Sequence, residues 1–282
     1  MFFFLHIPRT AGTTLNTIIR NNFAPDELIS VYDSQDYRLH AAHSVEELHK
    51  IRLVQGHLLL QSYDPPLFWG QPVNVFTFLR EPVSRLVSEY HFLRSWKANH
   101  LYEWLHREKV DFRRYIESRE PQLRFRGRNF MTRCISGCSL ENRDLPFKAV
   151  AVAKRHLEKS FGFVGIQERF LESLILLGDF LGMSNLLHER NNALHGLPDD
   201  SVSAEDRAVA AERNQGDAAV YRFACELFEE RVAAHGASLT ERVERFKALN
   251  QRYCRIADAL RRQSGAQTIC NGIDRPKDGH WR

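Results

Sequence analysis

Four short, mainly apolar runs punctuate this chain: Phe2 to Ile7, Ile51 to Leu60, Val73 to Leu79 and Phe161 to Ile166. Each is too short for a buried helix and carries β-branched or aromatic residues, so each predicts a strand buried in a sheet. Helical spacing follows three of them. Leu15-Asn16-Thr17-Ile18-Ile19 resumes the apolar pattern after the first run, and Arg80 to Tyr90 does so after the third. Pro82 suits the first turn of that second helix, and Glu81 suits its positive end. After the fourth run, Phe170, Leu171, Leu174, Leu177, Phe180 and Leu181 repeat at helical intervals from Glu168 onward, and Gly182 is placed to stop that helix. It reads as scaffold.

Strands that alternate with helices predict a three-layer α/β/α architecture on a mostly parallel sheet. Residues 102–119 and 123–137 read as helical and cationic. Leu197-Pro198-Asp199-Asp200 breaks the chain before further helices over about 203–235 and 238–262. We therefore expect one domain over residues 1–262, with additional C-terminal helices. Residues 263–282, polar and holding Gly265, Gly272, Pro276 and Gly279, read as a loose tail. The sequence has no internal repeat and no low-complexity tract.

The chemistry begins where the first run breaks, at Pro8-Arg9-Thr10-Ala11-Gly12-Thr13-Thr14. A strand delivers this turn, the amides of residues 10 to 14 open the next helix, and the positive end of that helix favours an anion. The plain alternative is an ordinary strand-turn-helix start with an N-capping Thr. A nucleotide-triphosphate loop reads G-x-x-x-x-G-K-[ST]. Here Ile7 stands in place of its first Gly and Thr13 in place of its Lys. The one cation, Arg9, lies early in the loop, which suits a 5′-phosphate group better than β- and γ-phosphates with magnesium.

A second segment strengthens the anion reading. The third run ends in Arg80, at the carboxyl end of a parallel strand, where open α/β sheets bind ligands. An ATPase more often places a magnesium-binding Asp there. An Arg calls for a second anion, gripped without metal by the planar guanidinium.

Together the two segments resemble the sulfotransferase superfamily, whose 5′-phosphosulfate loop reads "PKTAGT[ST]" and whose 3′-phosphate motif reads "RxPxxRxxSxY". They are matched by Pro8 to Thr14 and by Arg80 to Tyr90. The pattern is most similar to carbohydrate sulfotransferases of the heparan 2-O and 6-O type and their bacterial homologues. Weaker matches are Gly56-His57, Asn129 to Arg133, Phe163 to Phe170 and Asp217 to Tyr221, so the resemblance runs over residues 1–230. It implies a P-loop-like fold and 3′-phosphoadenosine 5′-phosphosulfate (PAPS) as donor, with adenosine 3′,5′-bisphosphate (PAP) as product. It further implies that Arg9, Thr10, Ala11, Gly12, Thr13 and Thr14 hold the 5′-phosphosulfate, that Arg80 and Ser88 hold the 3′-phosphate, and that no metal is required. One departure matters. The family usually has Lys at the position of Arg9, where it contacts the oxygen bridging phosphate and sulfonate. Arg keeps the charge but does not give up a proton, so leaving-group stabilisation here is expected to be electrostatic.

The second run ends in Gly56-His57, which brings an imidazole to the same sheet edge. Relatives of the 2-O and 6-O type carry their proposed catalytic base at the matching His. Transfer to an alcohol needs such a base, because a hydroxyl is a poor nucleophile until its proton is taken. A surface or packing histidine is the plain alternative. His6, inside the first apolar run, is expected to serve structure. Asn129 and Arg133 match the family pattern and are expected to line the acceptor side of the cleft. The cations Arg113, Arg114, Arg124, Arg126, Arg128 and Arg133 form either a solvated face or an orienting surface for an anionic acceptor.

Composition narrows the picture only slightly. With 39 basic and 35 acidic residues the formal charge of the 282-residue chain is +4, too small to demand nucleic acid and compatible with an anionic donor. Five cysteines, Cys134, Cys138, Cys225, Cys254 and Cys270, are odd in number and lack paired ligand spacing, so reduced thiols in a cytoplasmic protein are expected. No stretch approaches the about 20 apolar residues of a transmembrane helix. Animal relatives of the resembled type are Golgi membrane proteins with an N-terminal anchor. This chain begins at its first strand, which favours a bacterial cytoplasmic enzyme over a Golgi-lumenal one.

The expected activity is therefore sulfonate transfer from PAPS to a hydroxyl acceptor, a glycan or glycoconjugate, with His57 as base and Arg9 at the leaving group. A P-loop small-molecule kinase using ATP and a non-catalytic nucleotide-binding homologue are the competing readings. Magnesium-dependent turnover of ATP marks the first, and donor binding without transfer marks the second.

Overall fold

A computed structural model describes residues 1–32, 45–57, 72–123, 126–140, 144–189 and 202–264. Its centre is a sheet of five strands: β1 (Phe2–Leu5), β2 (Leu28–Val31), β3 (Leu53–Gly56), β4 (Asn74–Leu79) and β5 (Phe161–Ile166). They lie in the order β2-β3-β1-β4-β5, and every pairing is parallel. The α/β class and the mostly parallel sheet expected from the buried apolar runs are thus present. Phe3, Phe4 and Leu5 are buried on both faces of the central strand, as a sheet covered by helices requires. Phe4 stacks on Phe76 with ring centroids 4.8 Å apart, and Thr77 donates its hydroxyl to the Leu5 carbonyl at 2.8 Å. These contacts fix β1 against β4, and so set the spacing between the two strand ends that carry the chemistry.

The helices of the described residues are α1 (Gly12–Arg20), α2 (Val45–Lys50), α3 (Pro82–Ser95), α4 (Tyr102–Arg107), α5 (Phe112–Glu117), α6 (Phe130–Ser136), α7 (Ala149–Lys159), α8 (Phe170–Leu181), α9 (Ala204–Arg213) and α10 (Gln215–Ser264). Glu81 caps α3 by accepting from the amides of Val83 and Ser84, with Pro82 in the first turn. Gly182 ends α8 in the left-handed region, at φ 69°. Phe180 of α8 lies against the rings of Phe2, Phe76 and Phe163, which seats that helix on the sheet as scaffold.

Several boundaries differ from expectation. The stretch 102–119 forms only two short helices, with Lys109 at φ 48° breaking between them. The helix expected over 203–235 divides at Asn214 into α9 and α10. Non-helical geometry at Gly236 then kinks α10 in the gap expected between 235 and 238. α10 continues through Ser264, past the expected boundary at 262. Strand β2 and helices α2 and α7 were not anticipated: Leu28-Ile29-Ser30-Val31 and Val45–Lys50 are short, and the apolar side of α7 is made largely of small Ala and Val residues. The expected break at Leu197 to Asp200, Leu58 to Leu60 of the second run, Arg124, Cys270 and residues 265–282 of the tail lie outside the described residues.

Candidate functional site

The first parallel strand ends against a strained loop. Arg9 and Ala11 both adopt positive φ, at 70° and 71°, and neither is glycine. Such conformations cost of order 1–3 kcal/mol each and persist only where surrounding structure imposes them. Here they turn the chain sharply enough that α1 starts at Gly12, with no side-chain cap and no acidic residue in its first turn. The leading amides of a helix have no acceptor within it, so this end offers uncapped donors and the positive pole of the dipole. Thr10 is buried, and its hydroxyl donates back to the Ile7 carbonyl at 2.7 Å, so its side chain shapes the loop from within.

The third-run segment meets this loop directly. Arg80, just past β4, donates from Nη1 to the Arg9 carbonyl at 3.3 Å. Arg9 Nε donates to Ser88 Oγ of α3 at 3.1 Å, and the Arg9 guanidinium lies 4.5 Å from the centre of the Phe92 ring. Arg9, Arg80 and Ser88, expected in two anion subsites, therefore share one cationic mouth. The Arg9 side chain leans toward α3. Burial, Arg80 and Arg85 lower its pKa to about 10, with Glu89 opposing them, so it stays protonated at neutral pH.

Beneath the mouth lies a charge network built on Arg85, the second Arg of the Arg80–Tyr90 motif, whose partners the motif spacing did not reveal. Arg85 is fully buried, pairs with Glu89 at 3.1 Å, and donates to the Pro8 carbonyl at 3.4 Å. Glu89 is also buried and pairs with Arg126 at 2.8 Å. Burial alone would raise the Glu89 pKa, but Arg85 and Arg126 outweigh it and hold the carboxyl below its ordinary range. Arg85 is likewise pulled down by burial, yet Glu89 and Asp217 leave it raised overall. The helix thus carries a buried ion pair at i and i+4 whose cation reaches the loop. The available signal was a charged pair among Leu86, Tyr90 and Leu93 on the core side of α3.

His57 follows β3, its amide donating to the Val31 carbonyl at 3.2 Å. Its ring centre lies 4.5 Å from that of His6 and 4.8 Å from that of Tyr32. The side chain is exposed, but the surrounding protein and the Arg126 charge push its pKa down toward about 4, with Glu89 partly compensating. Water at the exposed edge moderates that burial effect, and the direction holds: His57 is neutral, and able to accept a proton, at pH 7. His6 is buried and its pKa is also lowered, by burial first and then by His57 and Arg9. Two neutral imidazoles give a signed expectation. Below the unfolded-state pKa of about 6.5 the unfolded chain binds more protons than the folded one, so stability falls with acidification from about 6.5 toward about 4. Urea unfolding at pH 7.5 and at pH 5 measures this.

Asn129 and Arg133, expected to line the acceptor side, are engaged by neighbouring backbone and side chains. Asn129 sits at φ 48°, its amide donates to Asn214 Oδ1 at 2.6 Å, and its own Oδ1 accepts from the Asp217 amide at 3.0 Å. Arg133 is buried and donates to the carbonyls of Arg128 and Ser139. Both side chains tie the α6 region internally. Asp217 completes that joint by accepting from the amides of Met131 and Thr132 and from the Thr132 hydroxyl, capping α6. Glu168, from another weak motif match, accepts from the Glu81 amide and the Tyr221 hydroxyl. The weaker matches at Asn129 to Arg133, Phe163 to Phe170 and Asp217 to Tyr221 thus supply joints between elements. Among the surrounding cations, Arg113 pairs with Asp206 and Glu205, and Arg114 with Glu120. Such pairing weakens the case for an open cationic acceptor surface.

Among the described residues no group of three or more His, Cys, Asp or Glu is arranged to hold a metal ion, and no helix is long and apolar enough to cross a membrane. No protein-family profile matches the chain, and no curated protein matches it. Among solved structures, mouse sulfotransferase SULT7A1 complexed with PAP is similar over 75% of this chain, at 13% identity and a TM-score of 0.38. This chain spans 62% of the length of that one.

Proposed function

We propose that the chain transfers a sulfonate from PAPS to a hydroxyl acceptor, a saccharide or glycoconjugate, in the cytoplasm. The observation that carries this reading is the junction of the loop with the β4–α3 turn, through Arg80 to the Arg9 carbonyl and Arg9 to Ser88. It gathers amides, two guanidiniums and a hydroxyl in one place. All can donate, as a nucleotide with two anionic groups requires, and the Glu89 carboxylate beside them is already held by Arg85 and Arg126. The sequence resemblance supplies the donor's identity, since it assigns these groups to the donor's 5′ and 3′ positions.

In the proposed reaction His57 takes the acceptor proton as the acceptor oxygen attacks sulfur. A new O–S bond forms while the bond from sulfur to the bridging oxygen breaks, and PAP leaves with the electron pair. Arg9 and the loop amides meet the negative charge that builds on the departing phosphate, where an interaction that strengthens in the transition state lowers the barrier. The kinase reading has less support, because β4 ends in Arg80 and the loop has Thr13 in place of a Lys.

Labelled PAPS offered with a panel of glycans and small alcohols tests the reaction. Arg80→Ala tests the 3′-phosphate subsite. Losing a charged hydrogen-bond partner is expected to weaken PAP roughly 10- to 100-fold, while adenosine 5′-phosphosulfate, which lacks the 3′-phosphate, changes little. Equal losses for the two ligands in calorimetry would remove the subsite assignment.

A further inference from the structure

A second histidine stands at the anion-binding end of α1. A Cβ built on Gly12 would fall 1.5 Å from His6 Nε2, 2.2 Å from its Cε1 and 2.4 Å from its Cδ2. The Nε2 edge of the imidazole therefore occupies the place that a side chain at the first residue of α1 would take, and only Gly allows it. The ring is held from behind. It stacks on Phe4, and its Nδ1 lies 3.1 Å from the Tyr32 hydroxyl, which in turn accepts from Asn16 Nδ2 at 2.7 Å. His6 is only 8% exposed, and the hydrogen bond to its ring is made at Nδ1, on the side away from Gly12.

The Tyr32 hydroxyl, which accepts from Asn16, can donate its own proton to Nδ1. Taken in that direction, the bond places the proton of the neutral ring on Nε2. Burial, His57 and Arg9 all disfavour the charged ring, which keeps His6 in this neutral form.

We propose that His6 is an anion-binding residue: its Nε2–H, set by the Asn16–Tyr32 relay, donates to the phosphate or sulfonate oxygen held at the N-terminus of α1. This rests on the donor reading above for the identity of the anion, though not for the presence of an anion site. His6, expected from the sequence to serve structure alone, thereby gains a ligand, and Asn16 and Tyr32 become positioning residues for it. A neutral donor at this point adds a directed hydrogen bond at an end of the loop from which Arg9 leans away.

Three ligands test it by calorimetry: PAP, adenosine 3′-monophosphate and inorganic pyrophosphate, each with the wild type, His6→Leu and His6→Gln. Loss of one hydrogen bond to a charged group predicts roughly 10- to 100-fold weaker PAP and pyrophosphate binding in His6→Leu. Adenosine 3′-monophosphate, which lacks the 5′ group, is expected to be unaffected. His6→Gln, which can place an amide N–H near the same point, is expected to recover much of the loss. A His6→Leu protein that binds PAP as the wild type does, or that loses all three ligands equally, overturns the assignment and leaves the donor reading standing. A wild type that binds pyrophosphate through His6 but not PAP overturns the donor reading and leaves this one standing. Should His6→Leu fail to fold, nitrogen-15 NMR of the wild type decides: an Nε2-protonated His6 whose signal shifts on adding PAP or pyrophosphate supports the proposal. An Nδ1-protonated or ligand-insensitive ring overturns it.

Discussion

Replacing His57 by alanine is expected to lower kcat roughly 10²- to 10⁴-fold while the Kd for PAP stays nearly unchanged. The proposed anion cradle comprises His6, residues 9 to 14, Arg80 and Ser88, whereas the His57 amide pairs with Val31 and its ring lies against that of His6. The pH profile carries a second signature. A base with an ordinary imidazole would lose activity as pH falls through about 6.5. Here the pKa of His57 is depressed toward about 4, so the acid limb of kcat is displaced well below 6.5 and is absent from the variant. A packing histidine would instead lower the melting temperature and leave the profile intact. His57→Ala that folds, binds PAP and turns over near the wild-type rate would falsify the base assignment.

Replacing Glu89 by alanine is expected to cost about 3–5 kcal/mol of stability, because it leaves the guanidinium of Arg85 buried and uncompensated. A loss of that size in a chain of this length corresponds to a melting-temperature drop of roughly 10 °C. The effect also reaches the site, since Arg85 holds the Pro8 carbonyl at the loop entrance. Glu89→Ala is thus expected to bind PAP more weakly even at temperatures where it remains folded. Unchanged melting would show that Arg85 finds another partner or water, and that the ion pair is not what holds α3 to the loop.

The parallel sheet was legible in the sequence because strands buried on both faces are apolar along their whole length, as in Phe2 to Leu5 and Val75 to Leu79. The loop and Arg80 stood out because a strand-turn-helix start and a cation at a strand end depend on few residues in a fixed local order. What escaped was set by long-range partners. Asn129 has the composition of a binding residue, and only its bonds to Asn214 and Asp217, more than 80 positions away, reveal a joint between helices. His6 looks like part of a strand until Gly12 is seen against its ring. Tyr32 and Asn16 belong to no motif: Tyr32, just past β2 and separated from β1 by β3, reaches His6, and Asn16 of α1 reaches Tyr32.

The central claim is that this mouth holds an adenosine nucleotide by its two phosphate groups without magnesium. A calorimetric titration of the wild-type chain with PAP in EDTA, beside one with ATP and magnesium, tests it most directly because no acceptor need be known. The account predicts saturable binding of PAP in EDTA, lost on Arg80→Ala, and much weaker binding of ATP with magnesium. Tight, magnesium-dependent ATP binding with no measurable affinity for PAP would contradict it.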